Sequence, residues 1–201
     1  MLKKHFLIIG IVIAIGIDMR CKWVNEKNEL YVKYHDEEWG VPSHNDNYLF
    51  EMLMLESFQA GLSWECVLNK REDFRIAFDN FDYNKISKYK EDKIDELMNN
   101  SKIIRNRLKI KSTIRNAKIF IDIRKEYGSF SKYIWSFTNG EIIYNKNDVF
   151  NPTSELSDMV SKDLKKRGMN FVGSTIIYSY LQAIGIINDH ELNCDYRNYN
   201  K

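Results

Sequence analysis

The chain has 201 residues, which is enough for one domain with a substantial core. Its 30 lysines and arginines nearly balance its 28 aspartates and glutamates, so a uniformly basic protein is excluded and any attraction to nucleic acid must come from a local patch. Two prolines and nine glycines leave little room for a disordered linker, and three cysteines are an odd number for a disulfide framework, which favours a reducing compartment or metal binding.

The first 18 residues differ from the rest of the chain. Residues 6–17 are uncharged and mostly apolar, a run that is too short for a comfortable membrane span and has the proportions of a signal-peptide core. No small-x-small cleavage site follows this run. One interpretation is that translation begins at Met19, that residues 1–18 are an upstream extension, and that residues 19–201 form the domain. A signal peptide or membrane anchor is the alternative.

Helical periodicity covers most of the chain from Leu30 onward, and no stretch shows the alternating pattern of a strand. The prediction is an all-α fold of about eight short helices. The first lies within residues 30–35, before a turn at 39–42. The second begins near Asn47, with Asn45 or Asp46 as its cap, and ends at Gly61. The others are expected over 71–78, around 94–98, across 110–121 with a stop at Gly128, at the aromatic-rich segment 130–137, from a cap at Thr153 or Ser154 to Gly168, and over 174–184 before Gly185.

Glu56 stands where the second predicted helix should be apolar. On a 3.6-residue repeat Met52 and Leu53 share its face, whereas Glu51 points the other way. A charged carboxylate on a buried face is costly unless it is paired, protonated or used by a ligand. A salt bridge to a core arginine or lysine is the plain alternative to a functional site. The segment Gly61-Leu-Ser-Trp64 that follows favours the functional site, because it puts an apolar and an aromatic group at the mouth of the region that the helix lines.

Basic residues cluster locally. Seven lie between residues 102 and 118 with no acidic residue among them, and a second group comprises Lys162 and residues 165–167. The first run begins at the joint between two predicted helices, near residues 99–106, where free backbone N–H groups can face a phosphate. Because such runs are usually solvated helix faces, this pattern alone does not establish nucleic-acid binding.

Two cysteines and two histidines lie near the two ends of the predicted domain: Cys21, His35, His190 and Cys194. On a helix, the four-residue spacing of His190 and Cys194 brings both ligand atoms to one face. The set predicts a zinc ion that joins the N-terminal segment to the C-terminal segment, closed and structural because four protein ligands leave no open position. The spacing of Cys21 and His35 fits no short zinc motif, so a buried thiol and surface histidines are the alternative.

Several motifs are specific: Arg20-Cys-x-Trp23, Tyr34-His-Asp-x-Glu-Trp39, Gln59-Ala-Gly-Leu-Ser-Trp64, Ile103-Ile-Arg-x-Arg107, Lys165-Lys-Arg-Gly168 and Asn188-Asp-His190. Through these motifs the chain resembles the DNA-3-methyladenine glycosylase I (Tag) family of helix-hairpin-helix base-excision enzymes, from about Met19 to Cys194. In this family the sequence begins just before the first cysteine, so the resemblance favours Met19 as the start of translation. One departure is Leu108, where the family pattern leads us to expect a glycine.

The resemblance implies an enzyme that hydrolytically removes N3-methyladenine from alkylated double-stranded DNA and leaves an abasic site. It implies that Glu56 hydrogen-bonds the extruded base and that Leu62 lies near the gap in the strand. We further expect a cytoplasmic monomer in which residues 19–201 contact no membrane. The other implied site residues are Tyr34, Trp64, Trp23, Tyr31 and Trp39 for the base, Lys102, Arg105 and Arg107 for the DNA backbone, and Cys21, His35, His190 and Cys194 for zinc.

Two other hypotheses stay open at this stage. One is a zinc-containing DNA-binding module without catalysis, in which a core arginine neutralises Glu56. The other is a membrane-tethered zinc protein that uses residues 6–17 as its anchor. For the enzyme, we assign Glu56 to base recognition and to electrostatic stabilisation of the transition state, with activation of the attacking water as a weaker alternative.

Overall fold

The computed structural model describes residues 18–146 and 151–198, and this part of the chain is mostly helical. The predicted predominance of helix is therefore confirmed. The α-helices are α1 Glu29–Glu37, α2 Asp46–Gln59, α3 Trp64–Leu68, α4 Arg71–Ala77, α5 Tyr83–Ile86, α6 Glu91–Asn99, α7 Arg107–Tyr127, α8 Phe130–Ser136, α9 Glu155–Lys166 and α10 Ser174–Ala183. Short 3₁₀ turns cover Asp79–Phe81 and Asp195–Asn198, and two short strands are β1 Ile143–Tyr144 and β2 Ile187–Asn188.

The strand pair corrects the expectation that the chain has no strand. Ile143 pairs with Ile187 and Tyr144 with Asn188 in parallel register. Strands of two residues are too short to produce a period-2 pattern, so the alternation of apolar and polar residues in the sequence cannot reveal them. The pair ties the segment after α8 to the segment after α10.

Helix α2 lies at the centre of the fold. All residues from Leu49 to Phe58 are buried, and α2 packs against α3, α7, α8 and α10. Its start is fixed by Asn45, whose side chain accepts from the backbone N–H groups of Asn47 and Tyr48. Because neighbouring elements cover every face of residues 49–58, this part of α2 has no solvent-facing side. The predicted division into an apolar face and a polar face therefore does not hold.

Glu51 is the clearest consequence of this burial. Helical periodicity predicts an outward-facing Glu51, but this residue is buried and accepts from Arg71 Nε at 2.6 Å and from Arg75 Nε at 3.0 Å. Arg71 also pairs with Glu38 at 2.8 Å. The prediction was wrong because both arginines come from α4, a helix whose position the periodicity of α2 cannot reveal.

Helix α7 runs antiparallel to α2. Near its end, Arg124 Nε donates to the Asp46 carboxylate at 2.5 Å, at the first residue of α2. The same carboxylate accepts from the backbone N–H groups of Phe130 and Ser131 at 3.1 and 2.9 Å, so it also holds the start of α8. The N-terminal end of α2 is thereby fixed to two other helices.

The two ends of the described chain meet. The backbone N–H of Met19 donates to Asp195 Oδ2 at 2.7 Å, and the Asp195 N–H donates to the Met19 carbonyl at 2.9 Å. Within residues 18–146 and 151–198, no helix combines the length and the apolar character needed to cross a membrane. The apolar run at residues 6–17, on which the membrane-anchor hypothesis depends, lies outside the described residues.

Gly185, directly after α10, approaches the turn that follows α1. The N–H of Gly40 in this turn donates to the Gln182 carbonyl at 2.9 Å, which holds the two backbones together. Gly185 has a φ of +76°, and a Cβ at this position would overlap the backbone of Val41 and Pro42. Only glycine fits both the left-handed conformation and the contact.

We expect Gly185→Ala to lower the free energy of unfolding by about 3 kcal/mol or more, as the sum of the left-handed backbone penalty and the overlap. Gly140→Ala is the matched control, since Gly140 has a φ of +82° and open space around its Cβ position. It should cost only the backbone penalty of about 1–2 kcal/mol. Urea denaturation measures both, and equal losses would show that the contact at Gly185 adds nothing.

Candidate active site and metal centre

Glu56 lies in the interior without a cation. Its side chain is 2% exposed, and its Oε2 atom has no hydrogen-bond partner among the described residues. Burial alone raises the pKa of Glu56 to about 8. Nowhere in the described part of the chain does an arginine or lysine form an ion pair with it, so the predicted alternative of a neutralising core arginine has no support there. Arg71 and Arg75 of α4 pair with Glu51 instead.

Aromatic side chains from two other helices surround this carboxylate. Helix α1 supplies Tyr31 and the buried Tyr34, and α3 supplies Trp64, whose ring centroid lies 5.1 Å from that of Tyr34. Burial, followed by the negative charge of Glu56, raises the pKa of Tyr34. Burial and then the charges of Glu65 and Glu56 raise the pKa of Tyr31. The Nε1 atom of Trp64 is buried and unpaired in the described structure.

The other two predicted base-binding residues, Trp23 and Trp39, join this aromatic group through the contact of Trp23 with Tyr31. Trp23 is 37% exposed and makes edge contacts with Tyr31 at 5.3 Å and with Trp39 at 4.8 Å. Trp39 is buried and packs against His35 and His190, at centroid distances of 6.0 and 4.6 Å. Trp39 therefore packs between Trp23 and the predicted metal ligands His35 and His190.

The four predicted metal ligands come together in the interior. Cys21, His35, His190 and Cys194 are all buried, and their ligand atoms lie within 4.8 Å of one another. Cys194 Sγ lies 3.6 Å from His35 Nε2 and 3.3 Å from His190 Nδ1, and Cys21 Sγ lies 3.5 Å from His190 Nδ1. In a tetrahedral zinc site, sulfur and nitrogen ligands are about 3.5 Å apart, given bonds of roughly 2.3 and 2.0–2.1 Å. Donor types and spacing both fit zinc.

The protonation states in this group have a clear physical cause. Burial lowers the pKa of His35, and burial lowers that of His190 to about 4, which keeps both imidazoles neutral and able to coordinate. Burial raises the pKa of the Cys21 thiol. Burial thus favours the neutral thiol, whereas a bound cation favours the thiolate.

Arg20 and Asp36, which were not predicted as site residues, support the four predicted metal ligands. The Asp36 carboxylate lies 2.7 Å from His35 Nδ1 and accepts from Arg20 Nε at 2.9 Å. A carboxylate behind a metal-binding histidine fixes the ring orientation and the tautomer. Arg20 and Asp36 each adjoin a predicted ligand in the sequence, which is the signal that could have identified them. For His190 the corresponding partner is the Trp39 carbonyl, 3.0 Å from Nε2.

The predicted DNA-binding residues lie on the surface. Leu62 is 43% exposed in the turn between α2 and α3. Lys102 and Arg105 are exposed in the connection from α6 to α7, with Lys102 Nζ 3.7 Å from Asp73. Arg107 begins α7, but it pairs with the acidic residues Glu91 and Asp95 of α6, so the basic run is partly neutralised by its neighbouring helix.

The family of the chain follows from comparison with known proteins. A family model described as methyladenine glycosylase matches residues 23–198. The chain belongs to the methyladenine glycosylase family. It is 44% identical over 178 residues to DNA-3-methyladenine glycosylase 1 of Escherichia coli K12, covering 87% of this chain and 95% of that protein. It is also 44% identical to the DNA-3-methyladenine glycosylase of Haemophilus influenzae, covering 87% of this chain and 96% of the relative.

Solved structures of the methyladenine glycosylase family share the fold. A crystal structure of 3-methyladenine DNA glycosylase I (TAG) superposes with a TM-score of 0.85 at 42% identity, covering 88% of this chain and 98% of the other. A Staphylococcus aureus TAG structure, which describes the structural basis of 3-methyladenine recognition, gives a TM-score of 0.82 at 34% identity, covering 85% of this chain and 93% of the other.

We expect Cys194→Ser to abolish stoichiometric zinc binding and to lower the melting temperature by about 10 °C, since losing a structural metal costs several kcal/mol. Cys66→Ser is the matched control, because Cys66 is a half-buried free cysteine outside the group. Metal content by atomic emission and thermal melts test both variants. A Cys194→Ser protein that still holds one zinc per chain would remove this cysteine from the ligand set.

Glu56→Gln should change the pH dependence of stability. The folded pKa of Glu56 is about 8 against an ordinary value of 4.5, so between these pH values the unfolded chain releases a proton that the folded protein keeps. Wild-type stability should therefore fall relative to Glu56→Gln by roughly 1.4 kcal/mol per pH unit in this window, with no further divergence below it. Urea denaturation of both proteins measures the difference, in which contributions of the metal site cancel. A pH-independent difference would contradict the raised pKa.

Proposed function

We propose that this chain is a DNA-3-methyladenine glycosylase, which extrudes N3-methyladenine from alkylated double-stranded DNA and hydrolyses its glycosidic bond to leave an abasic site. One observation carries the proposal: a buried, unpaired Glu56 beside the aromatic rings of Tyr34 and Trp64. Family membership and the names of the relatives support it.

Glu56 suits a cationic base. An adenine methylated at N3 carries positive charge and is already a good leaving group, so the enzyme mainly has to extract and recognise it. In the absence of a cation, burial favours the protonated form of Glu56, because its pKa is about 8. A bound cationic base favours the carboxylate instead, which then accepts from the exocyclic amine. A neutral base or a base without the amine leaves the buried carboxylate badly paired and is rejected.

The aromatic rings provide the second part of recognition. Stacking on an aromatic side chain returns about 1–3 kcal/mol per base, which offsets the cost of taking the base out of the duplex. Electron-rich rings also favour a cation by on the order of 0.5–2 kcal/mol. We assign direct contact to Tyr34 and Trp64, with Tyr31, Trp23 and Trp39 completing the aromatic group that supports them.

The DNA-binding part of the proposal is a helix-hairpin-helix motif formed by α6, the connection 100–106 and α7. Lys102 and Arg105 of the connection and Arg107 at the start of α7 contact the DNA backbone, while Leu62 enters the gap that the extruded base leaves. Leu108, in place of the glycine expected from the family pattern, is compatible with the turn. Its backbone N–H donates to Asn106 Oδ1 at 3.0 Å and its side chain is exposed.

The metal part is a structural zinc ion held by Cys21, His35, His190 and Cys194. When bound, zinc supplies a closed cross-link between the N-terminal and C-terminal segments, and the four protein ligands leave no position for substrate. We also propose that the domain comprises residues 19–201, apart from an extension of residues 1–18, because the family match begins at residue 23 and Met19 already bonds with Asp195. The monomeric state and the cytoplasmic location stay predictions.

The test is release of free base from duplex DNA that contains N3-methyladenine, by the zinc-loaded full chain and by Glu56→Gln. Hydrogen bonds to charged groups contribute about 1.5–3 kcal/mol, so the variant should be slower by roughly 10- to 100-fold. Glu72→Gln, the same substitution at an exposed glutamate of α4, should match the wild type.

The outcomes separate the two parts of the proposal. No release by a folded wild type would overturn the glycosylase function and leave a DNA-binding module. Equal rates for the wild type and Glu56→Gln would keep the enzyme but remove Glu56 from its site.

A further inference from the structure

Lys109 is a buried cation that the proposed reaction does not use. It is 7% exposed, in contrast to the exposed Arg105 and Arg107 of the same basic run. Its Nζ donates to the carbonyl oxygens of Phe58 at 2.8 Å and Ala60 at 2.7 Å. No carboxylate pairs with it in the described structure, and burial lowers its pKa. A lysine buried against two backbone carbonyls is costly, so its position calls for a reason.

The two carbonyls belong to the end of α2. Helix α2 has no basic residue in its last turn, and its final carbonyl groups have no partner within the helix. A cation at a helix C-terminus satisfies these groups and interacts favourably with the helix dipole. Lys109 supplies from α7 the charge that α2 lacks in its own sequence.

The turn of residues 60–63 follows directly. Its first carbonyl, that of Ala60, is held by Lys109, and the N–H of Leu62 donates to the Gln59 carbonyl at 2.6 Å. Gly61 has a φ of +81° and an open environment, so the turn projects from the protein with Leu62 exposed near its tip. The side chain of Ser63 then caps α3, which carries Trp64.

Lys109 also lies next to the connection 100–106, to which the proposed function assigns DNA binding. It is the third residue of α7, and its backbone N–H donates to the capping side chain of Asn106 at 3.1 Å. One residue therefore joins the start of α7, where Arg107 lies, to the turn that carries Leu62. Phe171, whose ring centroid is 5.9 Å from Nζ, lies next to it and accepts from Ser57 of α2 through its carbonyl at 3.1 Å.

We propose that Lys109 is a positioning residue for base extrusion: it fixes the turn of residues 60–63 relative to the start of α7, so that a DNA backbone held there meets Leu62 where the base leaves the stack. This inference rests on the proposed glycosylase function. Lys109 touches neither DNA nor base in this arrangement, so it acts only through the turn.

A positioning role has a specific signature. Removing the Nζ donors frees the turn but leaves the exposed cations of the hairpin and the Glu56 region in place. The affinities for duplex DNA and for the free base should therefore stay unchanged, while base extrusion, which needs the turn in its correct position, becomes slower. A misplacement of about 1 Å in such a group costs up to about 10²-fold in rate.

The experiment uses the zinc-loaded full chain and compares Lys109→Met with the wild type. Three quantities are measured: the single-turnover rate of base release from duplex DNA containing N3-methyladenine, the Kd for undamaged duplex by fluorescence anisotropy, and the Kd for free 3-methyladenine by tryptophan fluorescence. We expect at least a tenfold lower rate with both Kd values within about twofold of the wild type. Lys109→Arg, which keeps the donors, should recover most of the rate.

Lys125→Met is the matched control. Lys125 lies on the same helix, is 73% exposed, and pairs only with the neighbouring Asp122 in the described structure. It should leave all three quantities unchanged. Should Lys109→Met not fold, Lys109→Gln takes its place with the same expected pattern, because its shorter polar side chain cannot reach both carbonyls.

The outcomes distinguish this inference from the function beneath it. An unchanged rate in a folded Lys109→Met protein overturns the inference alone. A rate loss accompanied by an equal loss of free-base affinity assigns Lys109 to general support of the fold and also overturns it. No base release by the wild type overturns the proposed function and the inference together.

Discussion

The fold depends on a helix that is covered on every side and carries two carboxylates into the interior. Helix α2 packs against four other helices, so both carboxylates are buried, with Glu51 8% and Glu56 2% exposed. Its two ends are fixed by the same antiparallel neighbour. Arg124 of α7 holds Asp46 at the first residue of α2, and Lys109 holds the last carbonyls. The position of Glu56 is therefore set by long-range ties to α7 at both ends of α2, beyond local helix geometry.

The two buried glutamates of α2 show how surroundings separate identical side chains. Glu51 has two arginines within hydrogen-bond distance, and its charge is compensated inside the protein. Glu56 has no such partner among the residues that the structure describes, and burial raises its pKa. A protein that only needed a filled core would place an apolar residue there, because an unpaired buried acid costs stability. An unpaired acid at this position fits the proposed role of Glu56, in which the cationic base is its partner.

The sequence predicted those parts of the site that depend on residue type. Two cysteines and two histidines indicated a metal site, and Glu56 was unusual for so apolar a helical segment. The sequence did not predict which residues of other helices would contact them. Glu51 was misplaced because Arg71 and Arg75 come from α4, and Lys109 looked like one more solvated lysine because its acceptors are backbone carbonyls. The acidic residues of α6 that pair with Arg107 lie outside the basic run, so the sequence of the run did not predict its partial neutralisation.

The metal group has a consequence for the order in which the domain is completed during synthesis. His35 and Cys194 lie 159 positions apart, and Cys21 and His190 lie 169 apart, although their ligand atoms are in contact distance in the folded protein. On the ribosome, the first pair of ligands emerges long before the second. A four-ligand centre cannot close until residue 194 has left the exit tunnel, shortly after α10, the last of the helices that cover α2. If the four residues bind a metal as proposed, a chain that ends before residue 190 lacks two of the four ligands.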